Sequence, residues 1–353
     1  MRYPKYLPQG GTIGFIAPSF GCATEPYRSC FENAQKKFKN EGYQLVFGPN
    51  CYESAGIGIS NTPEKCGAEV MEMFERDEAD CLISCGGGEL MCEILPYVDF
   101  DRLAKMEPKW FMGYSDNTNL TYLLATLADT ASIYGPCAGA FGMEPWHDSL
   151  KDAIQVITGE RQSVHSYGLW EKESIKSEEN PLAPYHVTEP LKIRSFVGDR
   201  ENKGLAADDH QKGRLKFSGR LLGGCLDCLT NLSGTRYDKT KEFTERYRQD
   251  GIIWFLESCD LNVFSIRRAM WQLEETGWFQ HVKGFLIGRP MNGEEMMGLD
   301  RYEAVLEVAG KKGVPVLMDV DLGHLPPMMP LVVGSLAEVT FEENQLLLEM
   351  RYC

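Results

Sequence analysis

The sequence predicts an α/β protein of two domains, the first built on a mostly parallel sheet. Three observations carry this. The chain has 353 residues, more than one hydrophobic core ordinarily serves. Short apolar runs alternate with amphipathic ones through the first part, the signature of βαβ units. That alternation decays from about 160 to 215 and then resumes. The expected organisation is an N-terminal domain over 1–160, a linker with substrate loops over 161–215, and a C-terminal β/α domain over 216–353.

In order, "GTIGFIA" (11–17) reads as a strand, "YRSCFENAQKKFKNEG" (27–42) as a helix stopped by Gly42, and "YQLVFG" (43–48) as a second strand. "TPEKCGAEVMEMFERDEA" (62–79) is a helix opened by Thr62 as N-cap and Pro63 in the first turn. "DCLISC" (80–85) and "KWFMGY" (109–114) are short buried strands. Ligands of such sheets bind beyond the carboxyl ends of the strands. One of these strands runs into Gly86-Gly87-Gly88 and the other into Ser115. In the second domain the expected strands are 216–224, 251–258, 283–289 and 314–320. A helix with Ile266, Ala269, Met270 and Leu273 on one face spans 265–279, and a hairpin turning at Glu343-Asn344 closes the chain.

Composition narrows the function. Hydrophobic residues make up 43% and charged residues 25%, as in a water-soluble globular protein. No apolar run approaches a membrane span. "MRYPKYLPQGG" lacks the apolar core of a signal peptide, so a cytoplasmic protein without a membrane partner is expected. Lys plus Arg total 36 against 51 Asp plus Glu, a formal charge of −15. That argues against a nucleic-acid partner, which needs a basic patch. The twelve cysteines are scattered through apolar runs, as buried thiols in a reducing compartment would be. Cys225 and Cys228 form one C-x-x-C, but no second pair has zinc spacing, so no metal and no cofactor are expected.

The chemistry centres on "GYSDNT". A strand delivers Ser115 to a turn, and Leu120, Leu123, Leu124, Leu127 and Ala128 mark a helix behind it. Strand, turn and helix make a nucleophile elbow, in which Gly113 leaves room for the turn. Asn117 stands where the usual elbow has glycine, a mild departure because asparagine tolerates left-handed backbone. The elbow would aim the Asp116 N–H at an oxyanion; the plainer alternative is a helix cap. The triple glycine leaves backbone N–H groups open to a ligand. Without a following Lys-Ser or Lys-Thr it is no P-loop, and a second oxyanion donor from Gly87 or Gly88 suits it better than a phosphate; a simple tight turn is the alternative. A serine hydroxyl needs a base. Of six histidines, His324 is the one set in a rigid turn, between Gly323 and Pro326-Pro327. Its imidazole would need an orienting carboxylate. Glu257 closes the apolar run "IIWFLE", where a charge demands a partner; the other reading is an ion pair with Arg267 or Arg268.

These segments together resemble the LD-carboxypeptidase family of serine peptidases. The pieces are "GYSDNT", "FLESCDLNVFSIRRAMWQLEETGWFQHVKGFLIGR" and "DLGHLPPMMPLVVGS", with "GTIGFIAPS", "GGGELMCEILPYVDFD", "YGPCAGAFG" and "GRLLGGCLDCLTNLSGTRYD" in support. The resemblance implies a flavodoxin-like N-terminal domain, a C-terminal swivelling β/α domain, and a homodimer that needs no metal. It implies Ser115 as nucleophile, His324 as general base and Glu257 as its orienter, with oxyanion donors from Asp116 and the loop at Gly87 and Gly88. It also implies a small substrate, either an L,D-linked muropeptide losing a terminal D-alanine or an aminoacyl-nucleotide of the microcin C type. The chain's long middle leans toward the second. Immunity-type members carry a nucleobase-stacking tryptophan before the C-terminal domain. The loop there, "ENKGLAADDHQKG", has none, and Trp170 is the nearest candidate. The family's "GGN" reads "GGC" at Gly223, Gly224 and Cys225. A non-catalytic small-molecule binding protein on the same fold, or a dithiol oxidoreductase using Cys225 and Cys228, are the alternatives in other classes.

Overall fold

In a computed structural model, residues 1–198, 200–201 and 214–352 are described. They divide into two compact units. The first comprises Met1–Arg161, Glu173–His186 and Pro330–Val333; the second comprises Gln162–Lys172, Val187–Met329 and Gly334–Cys353.

The first unit holds a six-stranded sheet. Its order is Leu331–Val333, Ser132–Tyr134, Trp110–Gly113, Cys81–Ser84, Thr12–Ile16, Gln44–Phe47. All neighbours run parallel except Leu331–Val333, which lies antiparallel to Ser132–Tyr134. In chain order the parallel strands read 2-1-3-4-5, the flavodoxin order, with its switch point between the first and third strands. Strands Cys81–Ser84 and Trp110–Gly113 are buried throughout, as expected of short apolar runs covered on both faces. The helix Tyr27–Asn40 buries Cys30, Phe31, Ala34 and Phe38. The helix Pro63–Glu75 begins as its sequence says, with the Thr62 side chain accepting from the Lys65 N–H and proline in the first turn.

The second unit holds a nine-stranded sheet. Its parallel centre is Leu215–Cys225, Ile252–Glu257, Val282–Gly288 and Pro315–Val320. Antiparallel strands flank it: Arg194–Val197 beside Pro315–Val320, and Leu336–Glu342 beside Leu215–Cys225. The closing hairpin pairs Leu336–Glu342 with Gln345–Arg351. Its two turn residues, Glu343 and Asn344, have φ of 49° and 62°, the primed turn that matches strand twist.

The stretch 161–215, expected as linker and loops, differs. Ser163–His165 forms the edge strand beyond Gln345–Arg351, and Arg194–Val197 another strand of the same sheet. These strands are too short to show a period, and their places in the sheet are set by Pro315–Val320 and Gln345–Arg351, more than a hundred positions away. His210 and the loop "NKGLAADDHQKG" lie outside the described residues.

Candidate active site

Ser115 sits in the first unit, one residue after the strand Trp110–Gly113 and before the helix Thr118–Thr126. Its φ is 63°, a left-handed conformation that a non-glycine residue adopts at a cost. This is the sharp turn expected, with one correction. The left-handed residue is the serine itself, whereas Asn117 is helical at φ −63°. Asn117 instead fills the space beside Gly113, where an added Cβ would lie 2.9 Å from the Asn117 Cβ. A glycine at 113 is what lets strand and helix approach so closely. The Ser115 N–H donates to the Tyr134 hydroxyl at 3.2 Å. The Asp116 carboxylate is buried and accepts from the Ser19 hydroxyl (2.5 Å), the Met91 N–H (2.9 Å) and the Asn119 amide (3.0 Å). It ties the elbow to the loop after Thr12–Ile16 and to the segment after the triple glycine.

The triple glycine follows Cys81–Ser84 and passes close to the serine. A Cβ on Gly87 would stand 3.1 Å from the Ser115 Cβ and 3.2 Å from its Oγ. A Cβ on Gly88 would collide with the Ser19 Oγ. The loop carbonyls are engaged: Gly86 accepts from the Ser84 hydroxyl (2.9 Å) and the Asn117 amide (2.8 Å), and Gly87 from the Phe20 N–H (2.8 Å). In a trans peptide the N–H points opposite to the carbonyl. The Gly87 and Gly88 N–H groups therefore point away from those donors.

Glu257 and His324 belong to the second unit. Glu257 ends the strand Ile252–Glu257, every residue of which is buried. His324 lies in the loop after Pro315–Val320. The Glu257 Oε2 and His324 Nδ1 are 2.7 Å apart, so Nδ1–H donates to the carboxylate. Glu257 does not pair with the arginines considered for it. Arg267 reaches the Glu303 carbonyl and Glu307, and Arg268 the Ser265 hydroxyl. Burial disfavours charge on His324, but the Glu257 charge and hydrogen bonds to Cys259 and Glu257 outweigh it, and the imidazole pKa is pushed up to about 11. Gly323, at φ +97°, makes the contact possible, because a Cβ there would stand 2.5 Å from the Glu257 Oε2.

The other histidines are engaged differently. His147 caps the helix Asp148–Ile157, His281 pairs with Glu245, and the His165 Nδ1 faces the Ser166 carbonyl. Cys225 aligns with Glu257 in the sheet register. A hydrogen bond with Cys228, then burial, then the Glu257 charge hold its thiol well above the usual range. That keeps it protonated and opposes a dithiol oxidoreductase, which needs a thiolate. Trp170 lies in the second unit, with the Arg289 guanidinium 5.0 Å from its ring centre. No group of metal-ligating side chains occurs among the described residues, and no helix there is long and apolar enough to cross a membrane.

Family models for the LD-carboxypeptidase N-terminal and C-terminal domains match residues 13–135 and 218–339, together more than half of the chain. The chain belongs to the LD-carboxypeptidase family. As a member it is a serine peptidase of carboxypeptidase type. The Escherichia coli Microcin C7 self-immunity protein MccF is 26% identical over 98% of this chain and 95% of its own length. A Bacillus subtilis relative named "Probable murein peptide carboxypeptidase" is 25% identical over 98% and 94%. Among solved structures, MccF in complex with glutamyl sulfamoyl guanosine matches with a TM-score of 0.79 at 23% identity, covering 100% of this chain and 99% of that one. An MccF-like protein from Bacillus anthracis matches with a TM-score of 0.80 at 20% identity, covering 99% of each chain. These structural likenesses bear out the expected family fold.

The sequence reading missed Arg289, Tyr134 and Ser19. Arg289 had a usable signal: as with Glu257, a charge stands at the end of an apolar run, here "FLIGR".

Proposed function

We propose that the protein hydrolyses an amide or acyl-phosphoramide bond near the end of a small substrate, with Ser115, His324 and Glu257 as its catalytic set. The observation that carries this is the 2.7 Å contact between His324 and Glu257. A carboxylate on Nδ1 fixes the tautomer and leaves Nε2 to accept a proton. The reaction asks that Nε2 then reach the Ser115 hydroxyl. The Oγ attacks the carbonyl carbon, its proton goes to Nε2, and the imidazolium returns that proton to the leaving group as the bond breaks. Water then repeats the steps in reverse order of partners and frees the serine. The Asp116 N–H and a Gly87 or Gly88 N–H hold the oxyanion; one such donor is worth on the order of 3 kcal/mol of barrier.

For substrate, the relatives name two classes, murein peptides and microcin-type aminoacyl-nucleotides. We propose the second, on the length of the middle segment. A hydrolysis panel of L,D-linked muropeptides, aminoacyl-sulfamoyl adenosines and simple dipeptides decides between them. Ser115→Ala should lower turnover of whichever is cleaved by at least a thousandfold. Hydrolysis near the wild-type rate in that variant would remove Ser115 from the mechanism. We further propose a homodimer in the cytoplasm, resting on the resemblance and on the scattered cysteines. Sedimentation velocity and cell fractionation test both.

A further inference from the structure

We propose that Arg289 is the positioning residue for the general base, and that its guanidinium sets where the His324 loop stands. The inference rests on the role given to His324 above, but its geometry lies wholly within the second unit.

Arg289 directly follows the strand Val282–Gly288 and is 4% exposed. Three of its contacts converge on the segment that carries the histidine. Nη1 donates to the Asp319 carbonyl at 3.0 Å, where the strand Pro315–Val320 ends. Nη2 donates to the Leu325 carbonyl, immediately after His324, at 3.1 Å. Nη2 also stands 2.7 Å from the Asp321 carboxylate. The cation thus grips the polypeptide on both sides of residue 324. Asp321 extends the brace, because its carboxylate accepts from the Tyr167 N–H at 2.6 Å and its carbonyl from the Met329 N–H at 2.9 Å. The Trp170 ring faces the guanidinium, and the Glu171 N–H donates to the Pro326 carbonyl at 2.7 Å. The segment around Trp170 thereby closes over the same loop.

The physical reason for an arginine is its fork. A planar guanidinium offers several donors at fixed angles and stays charged when buried. Two backbone carbonyls and one carboxylate are spread around the fork, and a lysine ammonium, whose three donors radiate from one nitrogen, cannot reach them all without moving the loop. Glu257 holds the imidazole from one side; Arg289 holds the backbone that delivers it. With the brace loosened, the ring keeps its chemistry but loses its aim.

The test uses Arg289→Lys, which keeps a cation beside the buried Asp321, and Arg289→Met, which removes it. The first readout is the low-field proton resonance of the His324 Nδ1–H, assigned by its loss in Glu257→Gln and His324→Ala. The second is kcat and KM on whichever panel substrate the wild type cleaves. In Arg289→Lys the resonance should shift or broaden, and kcat should fall by about tenfold with KM within about twofold. Arg289→Met, where folded, should lose about a hundredfold. An unchanged resonance with unchanged kcat in a folded Arg289→Lys overturns the inference, as does a kcat loss that only follows the folded fraction. If the wild type cleaves nothing, the proposed function fails, and the resonance still decides the role of Arg289.

Discussion

Gly323→Ala offers a direct measurement of how tightly His324 and Glu257 are fitted. An alanine Cβ at 323 would stand 2.5 Å from the Glu257 Oε2, 2.7 Å from its Cβ and 2.9 Å from its Cδ. None of these contacts is tolerable, and Glu257, fully buried at the end of its strand, has little room to retreat. The backbone adds its own term, since φ is +97°. A left-handed non-glycine residue costs about 1–2 kcal/mol, and overpacking a buried site about 1–3 kcal/mol. The sum is about 3.5 kcal/mol, or about 7–14 °C of melting temperature for a domain of this size. Gly313→Ala supplies the control. It has φ +66° in the same unit, and nothing lies within 4 Å of its added Cβ, so it reports the backbone term alone. Calorimetry of the two variants should show Gly323→Ala melting well below Gly313→Ala. The low-field His324 proton should be disturbed only in Gly323→Ala. Equal melting temperatures, with the resonance intact in both, would refute the claim that residue 323 is pressed against Glu257.

Two further predictions concern pH and the triple-glycine loop. The folded pKa of His324 is raised to about 11, above the ordinary value of about 6.5. Its bond to Glu257 therefore stabilises the fold fully below about pH 6.5 and loses that contribution as pH rises toward 11. The gap in urea midpoint between wild type and Glu257→Gln should be widest at acidic pH and shrink through that window. The acid limb of kcat/KM should lie above the usual histidine range in the wild type and fall back in Glu257→Gln; an identical limb in both would sink the coupling. Gly87→Ala should melt within about 1 kcal/mol of wild type, because its new Cβ meets only the Ser115 side chain closely, at 3.1 and 3.2 Å. Its kcat should nonetheless fall by about tenfold as the hydroxyl is pushed aside, against a limit of about a hundredfold for a 1 Å misplacement.

Much of the fold, and the three side chains proposed above as the catalytic set, could be singled out from the chain. Ser115 was visible because a buried strand, a glycine and an amphipathic helix are local patterns. Glu257 and His324 were visible one at a time, as a carboxylate closing an apolar strand and an imidazole in a proline-bound turn. Asn117 misled, because the residue type that tolerates left-handed backbone was not the one that adopted it. The elbow's strain fell on Ser115, and Asn117 was used to fill the gap beside Gly113.

Sequence alone determined the periodic elements, the acidic surface and the residue types that can do acyl transfer, because each is written in neighbouring positions. Only the tertiary structure decided that Glu257 takes His324 rather than an arginine, that Leu331–Val333 joins the first unit's sheet, and that Arg289 grips the backbone around the histidine. Those outcomes depend on carbonyls, register and close approach between residues far apart in the chain, and backbone carbonyls look alike in every sequence.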